Sequence, residues 1–233
     1  MGKLKGLLLT EGLHGMISQV EGLAKALDLD YFHEKVELNS FWKLIPPKFT
    51  PVKKFVFKNN IKRDFDIIIS CGRKSVIPSI FLKKINSKKI KNIHVQDPKV
   101  NFKNFDYIIS PEHDDLKGDN ILSSKGAIHY LTSEEINEKK NYLLEKISKE
   151  KKIITLVLGG PTKYYTYSNQ NLLNIFSKIS KQVLNNNFQV IVIPSNRTPS
   201  RTIDLAKKFF TKEHLIIDKV DKDAYLSSLG IAD

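Results

Sequence analysis

Ile153-Ile154-Thr155-Leu156-Val157-Leu158-Gly159-Gly160-Pro161-Thr162 is an apolar, partly β-branched run cut off by two glycines, a proline and a hydroxyl residue. A run of that kind fits a strand covered on both faces, and the Gly-Gly-Pro that follows is its exit turn. Leu172, Leu173, Ile175, Phe176 and Ile179 then recur at helical spacing. The cycle of strand, loop and helix continues with Gln189 to Ile193, the loop Pro194-Ser195-Asn196-Arg197-Thr198-Pro199, and a helix over Ile203 to Phe210. Leu215 to Ile217 reads as a further strand and Ala224 to Ile231 as a further helix, so the pattern is still running at Asp233.

The same alternation extends backward. Leu4 to Thr10 reads as a strand, Glu11-Gly12-Leu13-His14-Gly15 as its turn, and Ile17, Val20, Leu23, Ala24 and Leu27 as one face of a helix. Asp66 to Ser70 is a buried strand leaving through Cys71-Gly72-Arg73, and Val76 to Ile85 is a helix with Pro78 in its first turn. Asn92 to Gln96 and Tyr107 to Ser110 are two more strands. Ser133 to Ser148 reads as one long surface helix, and Lys149-Glu150-Lys151-Lys152 as a junction. Short apolar strands alternating with amphipathic helices predict an α/β protein of parallel sheets. The predicted halves are residues 1–148 and 149–233.

Composition limits what such a protein can be. The chain has 233 residues, 41% of them apolar, with a formal charge of +13 and a mean hydropathy of -0.28. No apolar run approaches the ~18 residues of a spanning helix, and Leu7-Leu8-Leu9 is too short for a signal sequence, so the expected location is cytoplasmic. A single cysteine, Cys71, provides neither an internal disulfide nor a thiolate zinc site. Thirty-four of the 38 cations are Lys, and the 38 divide as 26 against 19 acids in residues 1–150 and 12 against 6 in 151–233. Spread Lys without Arg-based base readout argues against specific nucleic-acid binding and for small anionic ligands or an anionic membrane surface.

Open α/β sheets bind ligands at the carboxyl ends of their strands, where the next helix offers free N–H groups to an anion. Three of the four arginines, Arg73, Arg197 and Arg201, fall in or just after such loops, which suits a bidentate carboxylate or phosphate. The alternative is an Arg tied to a nearby Asp or a helix carbonyl. Gly159-Gly160 lets backbone approach a phosphate, and Thr162 donates to it or caps the next helix. Neither G-x-G-x-x-G nor G-x-x-x-x-G-K occurs, so no dinucleotide cofactor or P-loop is expected, and no metal motif is assigned. Gly12, Gly15 and Gln19 form a looser loop suited to an acceptor. His113 with Asp114, and His129, are the candidates for proton transfer, against the plainer reading of a capped turn paired with Lys117.

Cys71-Gly72-Arg73, Gln96-Asp97-Pro98, Phe105-Asp106 with Pro111, His113 and Asp114, Gly126-Ala127-x-His129, Gly159-Gly160-Pro161-Thr162 and Arg197-Thr198-Pro199 occur in order along the chain. The series resembles the mitochondrial fission ELM family, from about Gly12 to Asp233. The resemblance implies two Rossmann-like domains as in GT-B glycosyltransferases, with a cleft between them, and a label of nucleoside-diphosphate-sugar epimerase. It implies a C-terminally truncated, incomplete second domain, because the family continues past Leu226-x-x-x-Gly230-x-Ala232-Asp233.

On that footing Gly159, Gly160, Thr162, Arg197, Thr198 and Arg201 form the donor-nucleotide side, and Gly72, Arg73 and Gln19 the acceptor side. His113 is the candidate base, with Asp114 and His129. No cofactor is expected. Each charge-assisted hydrogen bond contributes about 1.5 to 3 kcal/mol, so Arg197 and the glycine amides supply roughly 4 to 6 kcal/mol. Micromolar binding needs ~8 kcal/mol, so residues 1–233 are expected to hold a nucleoside-diphosphate sugar only weakly. The alternative function is a non-catalytic scaffold, peripheral to a membrane, that recruits a partner.

Overall fold

The computed structural model describes residues 2–61, 63–86, 89–162, 165–166, 168–211 and 213–233. Its chain divides into two compact units, Met1–Leu131 and Thr132–Asp233.

The first unit is built on a parallel sheet of six strands: β1 (Lys5–Thr10), β2 (Asp30–Lys35), β3 (Ile67–Cys71), β4 (Lys91–Val95), β5 (Tyr107–Pro111) and β6 (Ile121–Ser124). Their order is β2-β1-β3-β4-β5-β6, so the chain reverses direction across the sheet between β1 and β3. Helix α1 (His14–Ala26) covers one face and α2 (Val76–Ile85) the other. Leu7, Leu8 and Leu9 are all fully buried because β1 is sandwiched: Leu7 and Leu9 join Ile68, Ile80 and Ile108 on the α2 face, and Leu8 joins Val20, Ala24 and Ile69 on the α1 face. Between β2 and β3, the described residues of 36–66 form short 3-10 turns and one isolated bridge, Leu38 with Phe57.

Two of these strands had no counterpart in the sequence reading. Asp30–Lys35 and Ile121–Ser124 are the edge strands of the sheet, and their side chains are mostly half-buried or exposed. These two strands are held by the ladder more than by apolar burial, so they lack the run that marks a central strand.

The second unit carries a three-stranded parallel sheet in the order β7-β8-β9: β7 (Lys152–Leu158), β8 (Phe188–Pro194) and β9 (Leu215–Ile216). Helices α4 (Asn169–Asn186) and α5 (Ser200–Phe209) pack together on one face around Phe176, Val190, Val192 and Phe210. On the other face Ile153, Ile191 and Ile193 pack with Ala224 of α6 (Lys222–Ile231).

The expected boundary after residue 148 therefore differs from the observed division after Leu131. The long helix expected over 133–148 is a short α3 (Ser133–Lys139), opened by a Thr132–Glu135 capping box and followed by 3-10 turns. Those turns carry Leu143 into the second core, where its N–H donates to Ser227 Oγ at 3.2 Å. Lys139 pairs with Asp223 at 2.9 Å, and Tyr142 donates to Asp221 at 2.9 Å. Residues 132–148 thus belong, by their contacts, with α6.

Candidate functional site

In the second unit the exit loops of β7 and β8 are one structure. Thr198 Oγ1 donates to the carbonyl of Leu158 at 2.7 Å and accepts from the N–H of Ser195 at 2.8 Å, tying the end of β7 to the loop after β8. Gly160 lies directly against that loop: a Cβ placed on it would stand 1.7 Å from the carbonyl oxygen of Arg197. Gly160 is therefore required for space, not for backbone angle. The sequence-predicted residues Gly160, Arg197 and Thr198 are brought together, with Gly159 adjoining, and the Arg197 side chain is exposed.

The two helices leaving these strands have no acid in their first turns, so the positive ends of α4 and α5 are not neutralised by their own side chains. Thr162 is not the cap of α4. That role belongs to Ser168, which accepts from Asn171 N–H at 3.0 Å, while Thr162 Oγ1 accepts from the N–H of Tyr165. Arg201 stands in the first turn of α5 and lines a groove of about 640 Å³ with Asn169, Asp204 and Lys208.

In the first unit the structure separates the predicted residues into three places. Gln19, His113 and Asp114 share a cavity of about 400 Å³ at the carboxyl ends of β4 and β5, together with Gln96, Asp97 and Lys99. Ser110 Oγ donates to Asp114 Oδ2 at 3.0 Å, and Asp114 Oδ1 stands 3.7 Å from His113 Nε2. Gln96 Nε2 reaches Gln19 Oε1 at 3.5 Å across the cavity. An imidazole with a carboxylate 3.7 Å away and two amides nearby offers a candidate base and hydrogen-bonding groups for hydroxyls.

Gly72 and Arg73 lie elsewhere. Gly72 has φ +91°, and a Cβ there would meet Met16 Sδ at 2.7 Å. The loop it opens is filled by Glu11, whose carboxylate accepts from Lys74 N–H at 3.1 Å and pairs with Lys74 Nζ at 2.7 Å. An anion position at the reversal between β1 and β3 is thus occupied by the protein's own carboxylate. Arg73 donates to the carbonyl of Lys43, which is the tied reading of that arginine. His129 is exposed, and its backbone packs on α1 at Gly22.

Gln96, Asp97 and Lys99 were not among the candidate site residues. Their signal was the polar loop closing β4, and its backbone is unusual: Gln96 has φ +81° and Lys99 φ +55°, positions that non-glycine residues seldom adopt. Cys71 is buried, and burial, then the Glu11 charge, pushes its thiol up to about 12, so it stays protonated. Asp106 holds the start of β4 by accepting from Asn92 N–H at 2.7 Å and pairs with Lys83 at 2.7 Å, a structural role. A roomier cavity of about 700 Å³ lies before β5 and β6, at the opposite strand ends, around Phe102 and Asn120. The smaller cavity has the His113–Asp114 pair and the carboxyl-end position expected of a site.

The family model described as Mitochondrial fission ELM1 matches residues 14–233. No curated protein matches the sequence. Among solved structures, the UDP-N-acetylglucosamine 2-epimerase from Rickettsia bellii is similar at 15% identity and TM-score 0.51, over 96% of this chain and 71% of that one. The Methanocaldococcus jannaschii UDP-GlcNAc 2-epimerase, solved with UDP-GlcNAc and UDP, aligns at 13% identity and TM-score 0.45, over 95% and 75%. The likeness concerns the fold, two α/β units of GT-B type.

Proposed function

Since the chain belongs to the mitochondrial fission ELM1 family, we propose that it is a nucleotide-sugar-binding protein of GT-B type, acting as a glycosyltransferase in which guanidinium and backbone N–H groups, not a metal, hold the donor diphosphate. The observation that supports this is the close approach of Gly160 to the Arg197 backbone. It joins the exit loops of β7 and β8 at the sheet edge where α4 and α5 begin. Breaking the bond between the anomeric carbon and the diphosphate leaves extra charge on the phosphate oxygens. Arg197 and the N–H groups of that edge stabilise this charge as it develops.

In the first unit, His113 is the candidate base for the proton of an acceptor hydroxyl. Asp114 supports the imidazolium, and Ser110 fixes Asp114. Gln19 and Gln96 supply amides for sugar hydroxyls. The balance is one C–O bond made, one broken and one proton on the imidazole.

Calorimetry with a panel of UDP-, GDP- and TDP-sugars tests this. We expect weak saturable binding that Arg197→Ala lowers about 10- to 150-fold, the effect of one charge-assisted hydrogen bond. His113→Gln should leave donor binding intact and remove transfer. Equal binding by Arg197→Ala defeats the donor assignment, and binding without turnover favours the non-catalytic scaffold.

A further inference from the structure

Between Glu37 and Asp64 the chain runs through 26 residues, 38–63, with no acid and seven cations, six Lys and Arg63. More than half of the net charge of +13 is therefore concentrated in one connection, which totals taken over each half of the chain conceal. The same connection displays four large apolar side chains: Phe41 is 64% exposed, Leu44 81%, Phe49 68% and Phe55 58%.

These side chains stand on an ordered base. The segment is folded into 3-10 turns at Ser40–Lys43, Pro47–Phe49 and Lys54–Val56. Val56 and Phe57 are buried in the α2-side core, and Leu38 pairs with Phe57 in an antiparallel bridge. Thr50 Oγ1 donates to Pro46 O at 3.0 Å, and Arg73 clamps the Lys43 carbonyl. Among the described residues, Lys43, Lys48, Lys53 and Lys58 form no ion pair. The fold thus buries one set of apolar residues from this segment and leaves another facing water beside unneutralised ammonium groups.

We propose that residues 38–63 are a membrane-docking element, in which Phe41, Leu44, Phe49 and Phe55 enter the boundary between headgroups and acyl chains of an anionic bilayer and the lysines meet lipid headgroup charge. Aromatic and aliphatic tips interleaved with Lys are the composition of an interfacial anchor. A protein interface favours Arg over Lys and is depleted in Lys at its centre. No helix is long and apolar enough to cross a membrane among the described residues, and this element requires none. The proposal is independent of the nucleotide-sugar reading, since it uses none of those residues.

The test uses the only tryptophan, Trp42, whose ring packs against Phe41 and Phe55 at centroid distances of 4.9 and 5.8 Å. The 233-residue chain is mixed with vesicles of phosphatidylcholine alone or with phosphatidylserine added. The expected result is co-sedimentation with the anionic vesicles, a blue shift of Trp42 emission, and quenching by brominated acyl chains. Lys43→Gln, Lys48→Gln and Lys53→Gln should each weaken binding about fivefold. The pair Leu44→Ser and Phe49→Ser, which leaves both Trp42 ring contacts in place, should weaken it tenfold or more. All five substitutions are on exposed side chains, and far-UV circular dichroism checks that each variant folds. Absence of binding, binding with unchanged Trp42 emission, or undiminished binding by the variants would overturn the proposal. So would an emission shift on concentrating the protein without lipid, which would assign the surface to a second copy of the chain.

Discussion

The backbone of Arg197 occupies the space that a side chain on Gly160 would need, its carbonyl oxygen 1.7 Å from the ideal Cβ position. The two exit loops of the second sheet are thus in direct contact there, and the Thr198 hydroxyl, bonded to Leu158 and Ser195, ties them together. Any group held by Arg197 is held relative to the end of β7 as well.

Gly160→Ala should therefore destabilise the second unit by about 1–3 kcal/mol, the usual cost of forcing an extra methyl into a packed site, and weaken ligand binding at Arg197. Gly126→Ala, where a Cβ meets nothing within 4 Å, is the control and should be near neutral. Urea denaturation midpoints check both, and equal midpoints would contradict the packing argument.

Thr198→Val removes the hydroxyl that serves Leu158 and Ser195. Losing this half-buried hydrogen-bonding group should cost about 1–2 kcal/mol, whereas Thr198→Ser keeps the staple and should recover most of that loss. The same denaturation series distinguishes the two.

Stability should fall as the solution is acidified below the ordinary histidine range. His94 is enclosed and accepts or donates at Ser70 Oγ at 2.8 Å, and burial lowers its pKa to about 3. The unfolded chain takes up that proton near pH 6.5 and the folded chain does not until about pH 3, so stability is full above 6.5 and is lost between those values. His33 and His214 are lowered as well, chiefly by burial, and act in the same direction. One such group gives a slope of up to ~1.4 kcal/mol per pH unit. Denaturation from pH 6.5 to 5 should show that slope reduced in His94→Gln, and an unchanged slope would show that His94 titrates normally.

Asn92 is fully buried, and neither atom of its side-chain amide has a partner. Asn92→Leu removes two unsatisfied groups of similar volume and should raise stability by about 1–2 kcal/mol, provided the backbone bond to Asp106 persists. A lower thermal midpoint would mean that the amide is satisfied in solution.

The central strands and most helices were legible along the chain because their signals are local. Leu7-Leu8-Leu9 announces burial on both faces by composition alone. Ile153 to Leu158, cut off by glycine in the same manner as a central strand, is instead the edge strand β7, with Val157 48% exposed and Ile154, Thr155 and Leu156 half-buried. Placing the candidate ligand groups in strand-exit loops followed from the same pattern. Neighbours in sequence could not reveal that Glu11 fills the loop at Gly72, that Gln96 and Gln19 line one cavity with His113, or that Gly160 touches Arg197. These depend on which loops the sheet order sets side by side. The ownership of residues 132–148 is of the same kind: their charge and period describe a surface helix, yet Leu143 and Tyr142 have their partners on α6. Residue types and spacing settle which segments must be covered, since that energy is short-ranged and additive along an element. Which element does the covering, and which loops thereby share a site, is fixed only by contacts between residues distant in the chain.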